Sequence, residues 1–239
     1  MVMNSTSSIA PLEWTDELVS SIWEYYSLRP EAYFTHQFGD RILEETLRYA
    51  PQNPVVCDYG CGAGFLLKRL VERCKAAGID HTQANLTKSA EIIGSHKNLM
   101  GLHHISESES IGETFDVIYF VETIEHLLDG HIEPTMKNLW HLLKPGGIII
   151  CTTPNDEDLS EQEVFCPITR KIFHRYQHVR SFTKESLRNE FEHHGFDHVT
   201  TFGTDFSARS FRARLKARLR ERLARKNPHL VCIARRPGA

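Results

Sequence analysis

Glu122, Glu125 and His126 stand at positions i, i+3 and i+4 of the stretch Glu122-Thr123-Ile124-Glu125-His126. On a starting helix that spacing puts two carboxylates and an imidazole on one face. Such a trio offers a general base, a clamp for substrate hydroxyls, or three hard ligands for a divalent ion. A second stretch, Asp58-Tyr59-Gly60-Cys61-Gly62-Ala63-Gly64, sets an acid ahead of three glycines at alternate positions. Glycine lets the backbone turn sharply and lets a ligand approach where a Cβ would stand, and the start of the following helix presents free N–H groups. A dinucleotide loop would carry a third small residue where Phe65 stands, and the lysine of a phosphate-cradling loop is missing. The acid before the glycines suits a cationic, phosphate-free nucleoside better than a phosphate.

With its flanking apolar run and helical spacing, Asp58-x-Gly60-x-Gly62-x-Gly64 resembles motif I of the class I S-adenosylmethionine-dependent methyltransferases. Lys144-Pro145-Gly146-Gly147 and Thr153-Pro154-Asn155 add to a resemblance that covers residues 40–235. It implies an α/β fold, a three-layer Rossmann-like sheet of about seven strands, mostly parallel with one antiparallel strand and helices on both faces. It implies S-adenosyl-L-methionine as cofactor, held by Asp58, Gly60, Cys61, Gly62, Gly64, Asn85, Val121 and Glu122. Asn85 stands where the family places an acid for the ribose hydroxyls; its amide can accept one bond and donate another. His126 and Glu122 are the catalytic candidates, since a hydroxyl acceptor must lose its proton.

Glu-x-x-Glu-His is also similar to the metal-binding segment of the small-RNA terminal 2′-O-methyltransferases, where a distant histidine completes the set. His178, in Tyr176-Gln177-His178-Val179-Arg180, is the matching residue, which makes Glu122, Glu125, His126 and His178 candidate ligands of a divalent metal. Methyltransferases similar to those of the ubiquinone pathway carry Glu-His at this place as well. Three functions follow as expectations: O-methylation of a small-molecule, sugar or glycolipid acceptor; metal-assisted 2′-O-methylation of RNA; or binding of the cofactor without catalysis.

The elements that must position these residues can be read in order. Leu18, Val19, Ile22, Trp23 and Tyr26 have helical spacing behind Thr15 or Asp16 as a cap, and a second helix covers Phe38 to Leu47. The aromatic stretch Tyr33 to Gly39 between them reads as part of a lid or as the closed edge of the core. Residues 1–39 are thus expected to form a disordered tail and helical lid, and 40–239 the methyltransferase domain. Val55 to Asp58 is the first strand; a helix from Leu66 to Ala77 capped by Gly78, then a strand within Asp80 to Leu86, should follow. Leu99 to Ile105, Phe115 to Phe120 and Ile148 to Thr153 are further strands, the last two apolar enough to be buried on both faces. A helix over 135–143, another from Phe182 to His194, and strands near Val199 to Phe202 and Leu230 to Ala234 complete the set.

The chain's 239 residues are 41% hydrophobic and can bury one sizeable core. No run of about 18 apolar residues occurs and the first ten residues are polar, so a cytoplasmic protein is expected, peripheral to a membrane at most. Six scattered cysteines read as reduced core residues, and Cys166-Pro167-Ile168-Thr169 lacks the second cysteine of a zinc knuckle. The formal charge of -3 hides a segment, Arg209 to Lys226, with nine basic residues and one acid. Its leucines at 215, 219 and 223 among arginines make residues 207–226 a basic amphipathic arm, suited to an anionic membrane surface or another anionic partner, nucleic acid included. Residues 156–182 form a basic, aromatic insertion placed to recognise an acidic or sugar-containing acceptor.

Overall fold

The computed structural model describes residues 9–111, 114–208, 212–213, 215–216, 219, 223 and 226–238. In chain order the elements are β1 (Ala10–Pro11), α1 (Asp16–Ser27), α2 (Phe34–Thr46), β2 (Val55–Tyr59), α3 (Phe65–Val71) and β3 (Lys75–Asp80). Then come α4 (Gln83–Ile93), β4 (Leu99–His104), α5 (Ser108–Ile111), β5 (Phe115–Val121), α6 (Ile132–Leu142) and β6 (Leu143–Pro154). The chain finishes with β7 (Glu163–Cys166), β8 (Lys171–His174), α7 (Lys184–His193), β9 (Asp197–Thr204) and β10 (His229–Arg235).

Seven strands form one sheet in the order β4-β3-β2-β5-β6-β10-β9. β10 runs antiparallel to both of its neighbours and the remaining pairs are parallel, as expected. Side chains alternate between two cores, which is why β5 and β6 read as unbroken apolar runs. Val56, Val117, Tyr119, Ile148 and Ile150 face Ile42 and Leu43 of α2 and Leu66, Leu67 and Leu70 of α3. Cys57, Ile118, Phe120, Ile149 and Cys151 face Met136 and Leu139 of α6 and Leu187 and Phe191 of α7.

The second strand lies earlier than the sequence reading put it. α3 ends at Val71, and β3 occupies Lys75–Asp80, not Asp80 to Leu86. Gly78 is no helix cap: a Cβ there would meet Leu67 Cδ2 at 2.5 Å and Leu102 Cδ2 at 2.9 Å, so glycine lets α3 and β4 close on the strand. Pairing with β2 and β4 on both sides overrides the weak strand propensity of Ala76 and Ala77. Asn85 therefore sits in α4, not at a strand end.

The insertion is not a bare loop. β7 and β8 form an antiparallel hairpin, and β1 from the N-terminal region pairs in parallel with β8 to make a separate three-stranded sheet. The polar tail at residues 1–8 lies outside the described residues, as does most of the basic arm. Of that arm Leu215, Leu219 and Leu223 are described and exposed, so these leucines are not docked on the sheet. No helix among the described residues is long and apolar enough to cross a membrane.

Candidate functional site

The loops after β2, β3, β5 and β6 meet at the carboxyl end of the sheet, where parallel α/β sheets bind ligands. They bound a cavity of about 950 Å³, roofed by α1 through Val19 and Trp23 and by Tyr33. The glycine loop forms its floor. Gly60, Gly62 and Gly64 all have positive φ, at 77°, 53° and 83°. A Cβ on Gly60 would stand 2.6 Å from Thr123 Oγ1, and one on Gly62 2.8 Å from the Tyr33 ring, so the loop, the turn after β5 and the roof touch where side chains are missing. Gly60, Cys61, Gly62, Asn85, Val121 and Glu122 line the cavity, whereas Asp58 and Gly64 stand behind its wall.

Asp58 is buried, and burial, aided by Asp80, pushes its carboxyl up to about 8. The acid that reaches the loop is Asp80, at the end of β3. Its Oδ2 accepts from Gly62 N–H at 2.8 Å and its Oδ1 from Thr82 N–H at 2.9 Å and the Asn85 amide at 3.2 Å. Asn85 Oδ1 in turn accepts from the Tyr33 hydroxyl at 3.4 Å. Asp80 is the residue that the misplaced strand concealed; its position at the end of an Ala-Ala-Gly-Ile run was the available signal.

The Glu122 to His126 stretch is not a helix start but a turn followed by a 3-10 turn over Ile124–His126. Glu122 has φ 46°, a left-handed conformation that a non-glycine residue adopts at a cost, and its Oε1 accepts from Thr152 Oγ1 at 2.7 Å. Glu125 Oε2 accepts from Thr153 Oγ1 at 3.0 Å, while its buried Oε1 has no hydrogen-bond partner among the described residues. Burial holds both carboxyls above the usual range, Glu125 further because Glu122 is near. Burial and then His178 push the His126 imidazole well below its ordinary value, so it is neutral at pH 7.

The insertion clasps this turn. Gln177, fully buried, donates from Nε2 to His126 O at 2.9 Å and accepts at Oε1 from Trp23 Nε1 at 3.2 Å. Val179 N–H donates to Glu125 O at 2.9 Å, and Arg180 Nε to Leu127 O at 3.0 Å. These bonds carry His178 to His126, with ring centroids 4.9 Å apart. Ligand atoms of Glu125, His126 and His178 all lie within 4.8 Å of one another; a second such trio is Glu157, His174 and His178. Glu122 belongs to neither, because its carboxylate is turned to Thr152. Gln177 and Glu157 were not singled out by the sequence, since nothing in their spacing shows a partner 51 or 21 residues away, and His174 was weighed only beside Cys166 as a hint of zinc.

A family model described as a methyltransferase domain matches residues 31–201. The mitochondrial ubiquinone biosynthesis O-methyltransferase of Homo sapiens is 27% identical over 182 residues, 69% of this chain and 48% of that protein. The ubiquinone biosynthesis O-methyltransferase of Mesorhizobium japonicum is 29% identical over 104 residues, 42% of this chain and 41% of that one. The chain thus spans less than half the length of these two curated relatives. Among solved structures, a SAM dependent methyltransferase from Archaeoglobus fulgidus superposes with a TM-score of 0.60 at 19% identity, over 88% of this chain and 99% of that one, a likeness of fold.

Proposed function

The chain belongs to the methyltransferase-domain family, and from that premise we propose that it moves a methyl group from S-adenosylmethionine to a hydroxyl of a small or sugar-containing acceptor. The observation that carries this reading is the single cavity joining the glycine loop and Asp80 to Glu122, Glu125 and His126. Glycines without room for a Cβ, and a carboxylate with three donors already in place and lone pairs to spare, suit a ribose and a cationic centre laid across the loop. His104, Ile105 and Ser106 line the same cavity beyond Asp80. The O-methyltransferase names of the relatives support oxygen as the acceptor atom.

The bound donor supplies an already activated methyl group, so the protein's task is orientation, exclusion of water and handling of one proton. α1 and Tyr33 roof part of the cavity and narrow its access to solvent. His126 Nδ1 lies 3.4 Å from Gln177 O, a carbonyl that only accepts, so the ring hydrogen sits on Nδ1 and Nε2 keeps its lone pair. That nitrogen takes the acceptor's proton, with Glu125 Oε1 3.9 Å away.

A metal-assisted form of the reaction is favoured by one observation, the buried and unpartnered Oε1 of Glu125. Glu125, His126 and His178 fit a divalent ion, which would polarise an acceptor hydroxyl there; Glu122 is then left to take the proton. For the arm at 207–226 the exposed Leu215, Leu219 and Leu223 support an anionic membrane surface as partner.

The test is calorimetry with S-adenosylmethionine, S-adenosylhomocysteine and a nicotinamide dinucleotide, followed by labelled methyl transfer in cell extracts and on 3′-terminal RNA. Binding of the first two and a labelled small-molecule product lost in His126→Ala is expected. A dinucleotide that binds instead would overturn the assignment, a labelled RNA ribose would move it to the RNA reading, and cofactor binding with no product in any extract would leave a non-catalytic binder.

A further inference from the structure

The insertion contributes a carboxylate and a second imidazole that the reading above does not use. Glu157 follows β6, His174 ends β8, and His178 comes four residues later. The rings of His174 and His178 stack with centroids 4.3 Å apart at 19°. Glu157 spans both: its Oε2 is 2.5 Å from His178 Nδ1 and its Oε1 3.4 Å from His174 Nε2, the second contact close but not aligned as a hydrogen bond.

Hydrogen-bond roles separate the two imidazoles. His174 Nδ1 accepts from Tyr176 N–H at 3.3 Å and from His178 N–H at 3.1 Å. A nitrogen receiving two amides carries the lone pair, so the ring hydrogen of His174 sits on Nε2, toward Glu157. To ligate a metal through Nε2, His174 would have to give up both backbone bonds. His178 is the reverse: its Nδ1 faces a carboxylate, which accepts, so the hydrogen is on Nδ1 and Nε2 carries the lone pair. His126 is set the same way by Gln177 O. Glu125, His126 and His178 form one trio, in which the hydrogen-bond roles leave an Nε2 lone pair on each histidine and Oε1 of Glu125 without a partner among the described residues; Glu157 and His174 stand outside it.

We propose that Glu157 and His174 are positioning residues of a cation site whose direct ligands are Glu125, His126 and His178. Glu157 fixes the tautomer and orientation of His178, and His174 steadies Glu157. This rests on the metal-assisted reading. Two imidazole nitrogens and one carboxylate oxygen select a first-row transition ion, such as Zn²⁺, Co²⁺ or Mn²⁺, over Mg²⁺ or Ca²⁺, which prefer oxygen sets. A carboxylate behind a ligating histidine raises the basicity of the ligand and keeps its ring in place, and loss of such a partner weakens metal affinity by about 10–100-fold.

Two measurements on the full chain test this. The first is titration with Co²⁺, followed by its visible absorption and by calorimetry, with Mg²⁺ for comparison. Wild type should bind Co²⁺ far more tightly than Mg²⁺, Glu157→Ala about 10–100-fold more weakly, and His178→Ala more weakly still. Glu157→Gln, which keeps an acceptor for Nδ1 without the charge, should fall between wild type and Glu157→Ala, and it stands in should the alanine variant fail to fold. The second is histidine ¹⁵N NMR of the metal-free protein, which should find the His178 hydrogen on Nδ1 in wild type and shared between both nitrogens in Glu157→Ala. Co²⁺ affinity unchanged in Glu157→Ala overturns the positioning role while sparing the metal reading. A His174→Ala variant as weak as His178→Ala makes His174 a ligand and overturns the assignment; Mg²⁺ binding as tight as Co²⁺ overturns the ion class. Wild type that binds no Co²⁺ removes both the metal reading and this inference, and leaves methyl transfer through His126 standing.

Discussion

Asp80 Oδ2 accepts the amide hydrogen of Gly62 at 2.8 Å, tying the end of β3 to the middle of the glycine loop. The same carboxylate receives Thr82 and Asn85, so one side chain sets the loop, the start of α4 and the floor of the cavity together. Asp80→Asn keeps the shape but loses the charge and puts a donor against one of those three. A hydrogen bond to a charged group contributes about 1.5–3 kcal/mol, so S-adenosylmethionine should bind about 10–100-fold more weakly by calorimetry. Unchanged affinity would remove Asp80 from the binding site.

Gly64 and Gly94 separate two costs of replacing glycine. Gly64, at φ 83° and ψ 18°, is left-handed and costs alanine about 1–2 kcal/mol in backbone conformation, whereas Gly94, at φ 63° and ψ -157°, lies in a region that essentially only glycine adopts, at about 1–3 kcal/mol. At Gly94 a Cβ meets nothing within 4 Å among the described residues, whereas at Gly64 it would lie 2.2 Å from Ser89 Oγ and 3.1 Å from Ser89 Cα. Gly64→Ala should therefore be the more destabilising in urea unfolding by about 1–3 kcal/mol, the usual penalty for overpacking. Equal losses would mean that α3 and α4 part easily.

The Asp58 carboxyl, held at about 8 by burial, gives stability a definite slope with pH. An unfolded aspartate releases its proton near about 3.9. Between those values the folded chain keeps a proton that the unfolded chain has lost, so the contribution present below the lower value is lost as pH rises toward the upper one. Urea unfolding at pH 5 and pH 8 should show wild type losing more stability than Asp58→Asn over that interval. The two curves moving in parallel would mean that the carboxyl is ionised in the fold.

Gln177 holds α1, the turn after β5 and the insertion at one point. Gln177→Ala leaves Trp23 Nε1 and His126 O without partners, at about 1–3 kcal/mol for each buried group left unsatisfied. It does not touch the glycine loop. Turnover should thus fall about tenfold or more while KM for S-adenosylmethionine stays near wild type, measured with whichever acceptor the extracts reveal. A rise in KM with turnover preserved would argue that Gln177 serves only the roof.

The parts of the fold that were legible in the sequence are those in which local pattern and tertiary environment agree. Val117 to Val121 and Ile148 to Cys151 are apolar at every position, and the glycines at 60, 62 and 64 announce a left-handed loop. β3 was hidden because Ala76, Ala77 and Gly78 are small for packing reasons, and small residues read as helix and cap. Glu122, Glu125 and His126 were rightly gathered but wrongly wound: the turn there is set by bonds from Gln177 and Val179, about 50 residues on in sequence, and no local rule reports those. The hairpin of β7 and β8 escaped notice because each strand has only four residues and the apolar Phe165 faces outward, leaving little alternation to read.

The small sheet of β1, β8 and β7 joins two stretches separated by more than a hundred residues, with Trp14 set edge-on against Phe173 at 5.9 Å and the Tyr26 hydroxyl donating to Arg175 O at 2.8 Å. Grafting this hairpin into a relative would fail unless residues 10–27 travelled with it. For an engineer or for evolution, the two segments are a single inheritable unit, and changes in one should be found compensated in the other.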